Sequence, residues 1–501
     1  MASAQALEWQ ASMERELASM SKHDVYELVP APKGRKIIGS MWVFKVKPDG
    51  LFKSRFCAQG FSQVAGTDFG STYAPVCRIP SVRIVLAIAA SHDWNVIQLD
   101  VQTAFLQSEM KEEVYVKQPV GFEKLDLNGQ PYVCKLKKSL YGLKQSPRNW
   151  HGTIQHELIA EGFKACVYNP CVYVKNDSSS KVFIVLYVDD LLVTGSSEVG
   201  ISKTKAFLMT KFAMKDLGDV SLILGMQVSR DRLKGTLDIN QGNYVNAILQ
   251  RYGFVHSRSV SSPGTGKPLD LKLGTLLDDG NKQLYQEIVG SLIYLSTCTR
   301  WDIAYSVMQL TRAMSNPKDE HMVAAKRVLR YLKGTPDLCV RYSKDFTLHG
   351  YSDASHSDDP NNSRSVSGYL YMFAGGPVTW SSKKQPVVAL SSCESEYIAL
   401  AYASQEAVYL SDLLSELTFP QFSSVQMFED NMGALQLSGT AAFSSRTTHI
   451  CTIYHFLREL VASDKIIVFH VKTADQLDIF TKFLDYPKFK AILDMVINFA
   501  S

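Results

Sequence analysis

Residues 182–193 form an apolar run broken only by Asp189 and Asp190. An ionised carboxylate in such a run is costly unless it is paired, hydrogen-bonded or bound to a metal. The run fits two strands, 183–188 and 191–193, with a tight hairpin between them. Neighbouring residues within a strand point to opposite faces. At the tip of a hairpin that alternation relaxes, and both aspartates can approach one site. Upstream, a second apolar strand, Val96-Ile97-Gln98-Leu99, stops on Asp100. Carboxylates at the ends of separate strands suit two-metal phosphoryl transfer. In that chemistry two divalent cations about 4 Å apart activate an attacking hydroxyl and stabilise the leaving oxygen. Magnesium prefers hard carboxylate oxygens and keeps several waters, so few protein ligands suffice.

The 501 residues exceed what one hydrophobic core organises, so two to four domains are expected. Hydrophobic residues at 46% and charged residues at 20% give the balance of a folded protein. A net charge of +4 permits a polyanionic partner but confines any basic groove to part of the surface. The 9 cysteines are odd in number and scattered, with no paired Cys-x-x-Cys, which argues against a zinc site and for reduced thiols. The N-terminus lacks the basic start and apolar stretch of a signal peptide. No apolar run reaches the ~20 residues of a membrane helix. The expectation is a soluble, cytoplasmic protein with no membrane partner.

Along the chain, residues 6–20 read as an amphipathic helix, with Leu7, Met13, Leu17 and Met20 near helical spacing. Residues 37–47 and 51–58 read as a hairpin around the turn Pro48-Asp49-Gly50. A buried helix follows at 81–91, a helix after Pro147, and a strand pair around Gly225. Residues 256–282 are rich in Ser, Pro, Gly and Asp and read as a linker. Residues 285–333 read as helical. From 347 to 484 the pattern is strand, strand, helix, strand, helix, helix, strand.

That last stretch carries a second set of acids. Asp353 ends the strand Gly350-Tyr351-Ser352, Asp430 follows the strand at 425–428, and Asp478 is expected in the first turn of a last helix. Ser391-Ser392-Cys393-Glu394-Ser395-Glu396 opens a helix. Ser391 and Glu394 fit the Ser-x-x-Glu capping box, which assigns Glu394 to structure. Glu396 projects about 200° away around the axis, free to face the sheet. Strand alternation separates Glu429 from Asp430 in the same way. Three or four acids on different elements again suit two-metal chemistry, here hydrolysis.

Together these segments resemble a known family. Gln98-Leu99-Asp100-Val101-Gln102-Thr103-Ala104-Phe105-Leu106, Glu112-Glu113-Val114-Tyr115-Val116, Leu140-Tyr141-Gly142-Leu143-Lys144-Gln145-Ser146-Pro147 and Tyr187-Val188-Asp189-Asp190 are similar to the reverse transcriptase of copia-type retrotransposons. Residues 350–353, 365–369, 380–385 and 454–459 resemble the RNase H domain that follows it. The resemblance implies a mixed α/β chain: a right-hand polymerase fold followed by an RNase H-like domain. The expected domains are fingers and palm at 1–255, a linker at 256–284, a helical thumb or connection at 285–340, an RNase H-like domain at 341–490 and a C-terminal tail at 491–501.

It further implies residue roles. Asp100 and Asp189, with Asp190 less directly, match the polymerase metal ligands; Asp353, Glu396, Asp430 and Asp478 match those of the nuclease. Lys53 and Arg55 match the fingers residues that contact the incoming triphosphate. Phe105 matches the steric gate against a ribose 2′-hydroxyl, Tyr141 and Gly142 the nucleotide pocket, and Leu224-Gly225-Met226 the primer grip. Two Mg²⁺ ions per site are implied, with Mn²⁺ as a substitute. The implied partners are an RNA template, a DNA primer, RNA–DNA hybrid and deoxynucleoside triphosphates, in the cytoplasm or within retrotransposon particles. His470, at a strand end, is a candidate for product release, and Lys326, Arg327, Arg330 and Lys333 for phosphate contacts. The sequence leaves the oligomeric state open.

Departures from the pattern concentrate in the second half. Trp301 stands after Arg300 where Pro is usual, Phe483 also replaces a Pro, and Thr448 and Cys451 replace Lys and Asp around His449. One Ala usual before the last aspartate is missing from Thr473-Ala474-Asp475-Gln476-Leu477-Asp478. A residue lost from a helix turns everything beyond it by about 100°, which bears on the aim of Asp478. The alternative to a bifunctional enzyme is therefore a degenerate remnant with an impaired nuclease that only binds nucleic acid. With no Asp-Ser/Thr-Gly protease motif, integrase-type zinc site or zinc knuckle, the chain reads as the terminal segment of a polyprotein or a truncated copy.

Overall fold

The computed structural model describes residues 5–47, 50–178, 180–439, 451–473 and 476–498. The chain opens on helix α1 (Ala6–Lys22), then β1 (Tyr26–Val29), β2 (Ile37–Ile38) and the hairpin strands β3 (Ser40–Val46) and β4 (Phe52–Ala58). Pro48 and Asp49 of the expected turn lie outside the described residues. Next come α2 (Ile79–Ser91), β5 (Val96–Val101), β6 (Tyr115–Lys117), β7 (Val133–Leu136), α3 (Ser146–Ala160), β8 (Lys164–Ala165) and β9 (Val172–Asn176). The strands β10 (Lys181–Tyr187) and β11 (Asp190–Gly195), helix α4 (Glu198–Lys211) and strand β12 (Met214–Asp219) complete a six-stranded sheet of order β12-β5-β11-β10-β9-β8.

This sheet explains the unbroken apolar run. Phe183 and Val185 pack with α2 on one face, while Ile184 and Leu186 pack with Trp150 and Leu158 of α3 on the other. A strand buried on both faces reads as continuously apolar rather than alternating. Helix α2 begins with Pro80 in its first turn, where the missing N–H costs nothing, and residues 81–90 are all buried.

Beyond the palm sheet run β13 (Leu222–Ile223), β14 (Met226–Asp231), β15 (Thr236–Asn240), α5 (Gly242–Arg251), α6 (Asp279–Cys298), α7 (Ala304–Thr311), α8 (Asp319–Gly334) and β16 (Val340–Tyr342). The expected linker has no strand or helix before α6, yet it is fastened down. Leu269 is buried, and the amides of Leu269 and Leu271 donate to the side chains of Gln309 and Asn361. Its last residues already belong to α6, whose N-cap Asp278 accepts from the Asn281 N–H at 2.8 Å. Strand β16 pairs with β15, so one sheet joins segments either side of the four helices α5–α8.

The last part comprises β17 (Leu348–Ser355), β18 (Val366–Phe373), β19 (Gly376–Lys384), α9 (Ser392–Glu416), β20 (Val425–Glu429), α10 (Met432–Gly439), α11 (Cys451–Ala462), β21 (Ile466–His470) and α12 (Tyr486–Asn498). Its sheet has the order β19-β18-β17-β20-β21, antiparallel over the first three strands and parallel from β17 to β21. Two expectations are corrected. There are three strands before α9, not two: Gly376, Pro377 and a polar end obscure β19. The expected tail from 491 is largely helix α12, because Phe489, Ile492, Leu493 and Val496 form one buried stripe.

The architecture is the expected mixed α/β one, with a six-stranded sheet in the first half and a five-stranded mixed sheet in the last part. One hydrophobic core runs without a break from α2 through α6–α8 to β17–β19 and α12. Among the described residues, no helix is long and apolar enough to cross a membrane.

Candidate active sites

Strands β5 and β11 run antiparallel with Asp100 opposite Asp190, and Tyr187 pairs with Asp190 to leave Val188 and Asp189 as the turn. Val188 takes a left-handed φ of 58°, unfavourable for a β-branched residue. Two bonds hold it there: the Trp150 indole N–H donates to the Val188 carbonyl at 2.6 Å, and the Val101 N–H to the Asp189 carbonyl at 2.8 Å. The three aspartates thus gather at one end of two neighbouring inner strands. Burial first, then the Asp189 charge, raises the Asp100 pKa, against Lys53. Burial also raises Asp190, opposed by a 3.2 Å hydrogen bond from the Gln98 amide and reinforced by Asp189 and Asp100. Crowded carboxylates of this kind call for a cation.

The fingers hairpin supplies positive charge opposite. Burial, then Arg55 and Lys47, lowers the Lys53 pKa, while Glu16 and Asp100 pull it up. The Arg55 guanidinium lies 4.8 Å over the Tyr141 ring, whose centroid is 5.0 Å from that of Phe105. A row of Arg55, Tyr141 and Phe105 therefore runs from the hairpin toward the aspartates. The Ala58 N–H donates to the Tyr141 carbonyl at 2.8 Å. Gly142 has a φ of 89°, and a Cβ there would lie 2.1 Å from the Ala58 carbonyl oxygen. Gly142→Ala is therefore expected to destabilise the fold by about 1–3 kcal/mol from the backbone alone and to loosen the hairpin. Denaturant midpoints and the KM for nucleotide would both shift; an unchanged midpoint would refute the tight approach.

Helix α1 belongs to this region in a way the sequence did not disclose. Its Ser12 hydroxyl accepts from the Ser54 N–H at 2.8 Å and donates to the Phe52 carbonyl at 2.9 Å. Glu16, one turn on, bonds the Phe56 N–H, and its pKa is raised chiefly by burial. The helix thus covers the free edge of β4.

Leu224 and Gly225 form a tight turn between β13 and β14, with φ of 50° and 72°. The Tyr294 hydroxyl of α6 donates to the Leu224 carbonyl, and a Cβ on Gly225 would lie 2.3 Å from that hydroxyl. Met226 is fully buried, so within this hairpin its side chain packs in the core.

The second set of acids converges more tightly. Asp353 on β17, Glu396 on α9 and Asp430 after β20 each offer an oxygen within 4.8 Å of the others, the only such set of three among the described residues. Burial, then Asp478, raises the Asp353 pKa; burial, then Asp353, raises Glu396. Glu396 Oε2 is buried and accepts no hydrogen bond from any described residue. Hard oxygen donors, one of them orphaned, fit a divalent cation.

The neighbouring acids face elsewhere. Ser391 caps α9 by accepting from the Glu394 N–H at 3.2 Å, while the Glu394 carboxylate reaches past it to the Leu390 N–H at 2.7 Å. Glu429 accepts from the Ser352 hydroxyl at 2.7 Å and the Asn431 N–H at 3.2 Å. Asp478 lies beside Asp353 but outside the set of three. It is 1% exposed, pairs with Lys482 at 3.0 Å and with Lys488, and opens a 3₁₀ turn (Asp478–Phe480) rather than a helix. The adjacent Thr481 hydroxyl donates to Asp353. Residues 448, 449, 474 and 475 lie outside the described residues, as does the Cys451 side chain. Trp301 and Phe483 are accommodated: Trp301 packs near Phe480, and Phe483 stacks edge-on to Tyr305 at 4.8 Å. His470 is exposed at the end of β21, opposite Glu429. Lys333 donates to the Ser257 carbonyl and Arg330 to that of Arg258, so both fasten the linker.

Comparison with known proteins agrees with this arrangement. Residues 23–265 match the family model for reverse transcriptase (RNA-dependent DNA polymerase). The chain is 39% identical to the retrovirus-related Pol polyprotein from transposon TNT 1-94 of Nicotiana tabacum, over 97% of this chain and 37% of that protein. It is 37% identical to that from transposon RE1 of Arabidopsis thaliana, over 98% of this chain and 33% of that protein. A putative transposon Ty5-1 protein of Saccharomyces cerevisiae is matched over its whole length at 35% identity, covering 62% of this chain. The chain spans about a third of the length of the two plant relatives. With the aspartate hairpin, the basic fingers strand and the family match falling in the same stretch, the chain belongs to the reverse transcriptase family of copia-type retrotransposon Pol polyproteins.

Proposed function

We propose that the chain polymerises DNA on RNA and DNA templates and cleaves the RNA of RNA–DNA hybrids. The observation that carries the first activity is the gathering of Asp100, Asp189 and Asp190 opposite Lys53. Asp100 and Asp189 would hold Mg²⁺, or Mn²⁺ in its place, which when bound supplies a nucleophilic primer 3′-hydroxyl and charge neutralisation at the leaving oxygen. Lys53 and Arg55 receive the triphosphate, and Tyr141 orients Arg55 beneath it. Phe105 crowds the sugar. Asp353, Glu396 and Asp430 would hold the cation for hydrolysis. Template, primer and hybrid are the partners, bound largely through phosphates and sugars and so weakened by salt. The cytoplasm or a retrotransposon particle is the setting. Primer extension on poly(rA) with Mg²⁺ tests the reading: deoxynucleotide incorporation supports it, and none by the intact chain refutes it.

Phe105→Ala is expected to raise ribonucleotide incorporation relative to deoxynucleotide by about 10–100-fold, the range over which an apolar pocket discriminates a hydroxyl. The ratio of kcat/KM values measures this, and an unchanged ratio removes Phe105 from the sugar pocket.

One observation favours a second reading for the nuclease alone. Asp478 is buried and tied to Lys482 and Lys488. On that reading hybrids are bound but cut slowly. A labelled-hybrid cleavage assay separates the two.

A further inference from the structure

Helix α2 lies under the catalytic palm sheet and also bears the contact with the nuclease part. At its centre Arg83, 2% exposed, has no carboxylate in hydrogen-bond reach among the described residues. Its guanidinium donates to the carbonyls of Val378 on β19 at 2.8 Å and of Thr297 and Cys298 on α6 at 2.8 and 2.7 Å. It lies 3.9 Å over the Trp380 ring, and the Trp380 indole in turn donates to the Ser296 carbonyl at 2.7 Å. One turn earlier, Arg78 pairs with Glu406 of α9 at 3.1 Å and lies 3.9 Å over the Tyr409 ring.

A planar guanidinium bonded to carbonyls on two different elements admits one relative placement of those elements. Sliding them would leave a buried charge without partners, a large penalty. The joint also connects directly to both sites. Helix α2 packs against Phe183 and Val185 of β10, whose turn carries Asp189. Strand β19 pairs with β18 at Ser382–Gly368, and Gly368 pairs with Asp353.

We propose that Arg83, seconded by Arg78, is a positioning residue that fixes how far behind the growing primer end the hybrid is cut. The proposal rests on the bifunctional reading above. The partner it concerns is a hybrid long enough to engage both sites at once.

The test uses the full chain, a primer paired to end-labelled RNA, and mapping of the cut positions. The intact chain should give one dominant product at a constant distance from the primer 3′ end. Arg83→Met keeps an apolar stem but drops the three bonds; it should lose the dominant band and spread cuts over several nucleotides, with primer extension retained. Arg78→Glu and Glu406→Arg should each broaden the window, and the double exchange should restore it, a result that general destabilisation would not give. Independently of activity, the distance between spin labels at Lys203 and Lys490 should be narrow in the intact chain and broad in Arg83→Met. A sharp window and narrow label distance in Arg83→Met would overturn the proposal. Absence of extension and cleavage in the intact chain would instead refute the function reading, while the label distances still decide the joint.

Discussion

Asp189→Asn is expected to lower primer extension by about 10³-fold, the scale of several kcal/mol of transition-state charge stabilisation. The change is nearly isosteric. The main-chain bond from Val101 to the residue-189 carbonyl and the bond from Trp150 to Val188 do not use the carboxylate, so the turn should persist. What is lost is one negative charge from a set whose members already repel each other. Folding stability without metal should therefore be equal or slightly higher. Single-turnover extension and a thermal melt, measured together, check both halves. Undiminished extension would sink the metal-ligand role, and a collapsed melting temperature would show that the loss came from unfolding.

Glu396→Gln is expected to reduce hybrid cleavage by a similar factor, about 10³-fold, and to leave extension intact. Glu396 is the buried member of the three-acid set with an oxygen no described residue satisfies. Burial and Asp353 push its pKa up to about 11, so without metal the parent must take up a proton here to fold at neutral pH; Gln removes that cost, and the metal-free variant should melt higher than the parent. Asp478→Asn should cost less, because its Oδ2 is paired with Lys482 and Lys488 and the carboxylate lies outside the set of three, though its Oδ1 is also buried without a partner among the described residues. Cleavage rates for the two variants under one Mg²⁺ concentration give the comparison. Equal activity of Glu396→Gln and parent would remove Glu396 from the site; a larger loss at Asp478 would restore it to equal standing.

The acids were legible because a charge inside an apolar run has few physical explanations. Asp189 and Asp190 between buried strands, and Glu396 against its capping neighbour Glu394, follow from strand alternation and the turn of a helix. The residues that aim them were not legible. Trp150, Gln98, Tyr294 and Glu16 are ordinary members of helices and strands until the fold brings them to a turn or an edge, and no local pattern announces that. Met226 follows a glycine turn in the sequence just as an exposed tip residue would; only pairing with Ile223 turns it inward. Strand β19 hid behind Gly376 and Pro377, and its partner strand shifts register beside them. The core shared by the first sheet and the last part of the chain depends on contacts between residues some 300 positions apart, such as Arg83 with Val378. Composition carries no trace of it.

The placement of α1 bears on where the protein can be cut. The family match begins at residue 23, just after this helix. A shortened chain starting there would strip Ser12 and Glu16 from the amides of Ser54 and Phe56 and leave β4 with a bare edge, open to pairing with another copy. The boundary suggested by sequence similarity is thus one helix too late for a fragment meant to stay monodisperse.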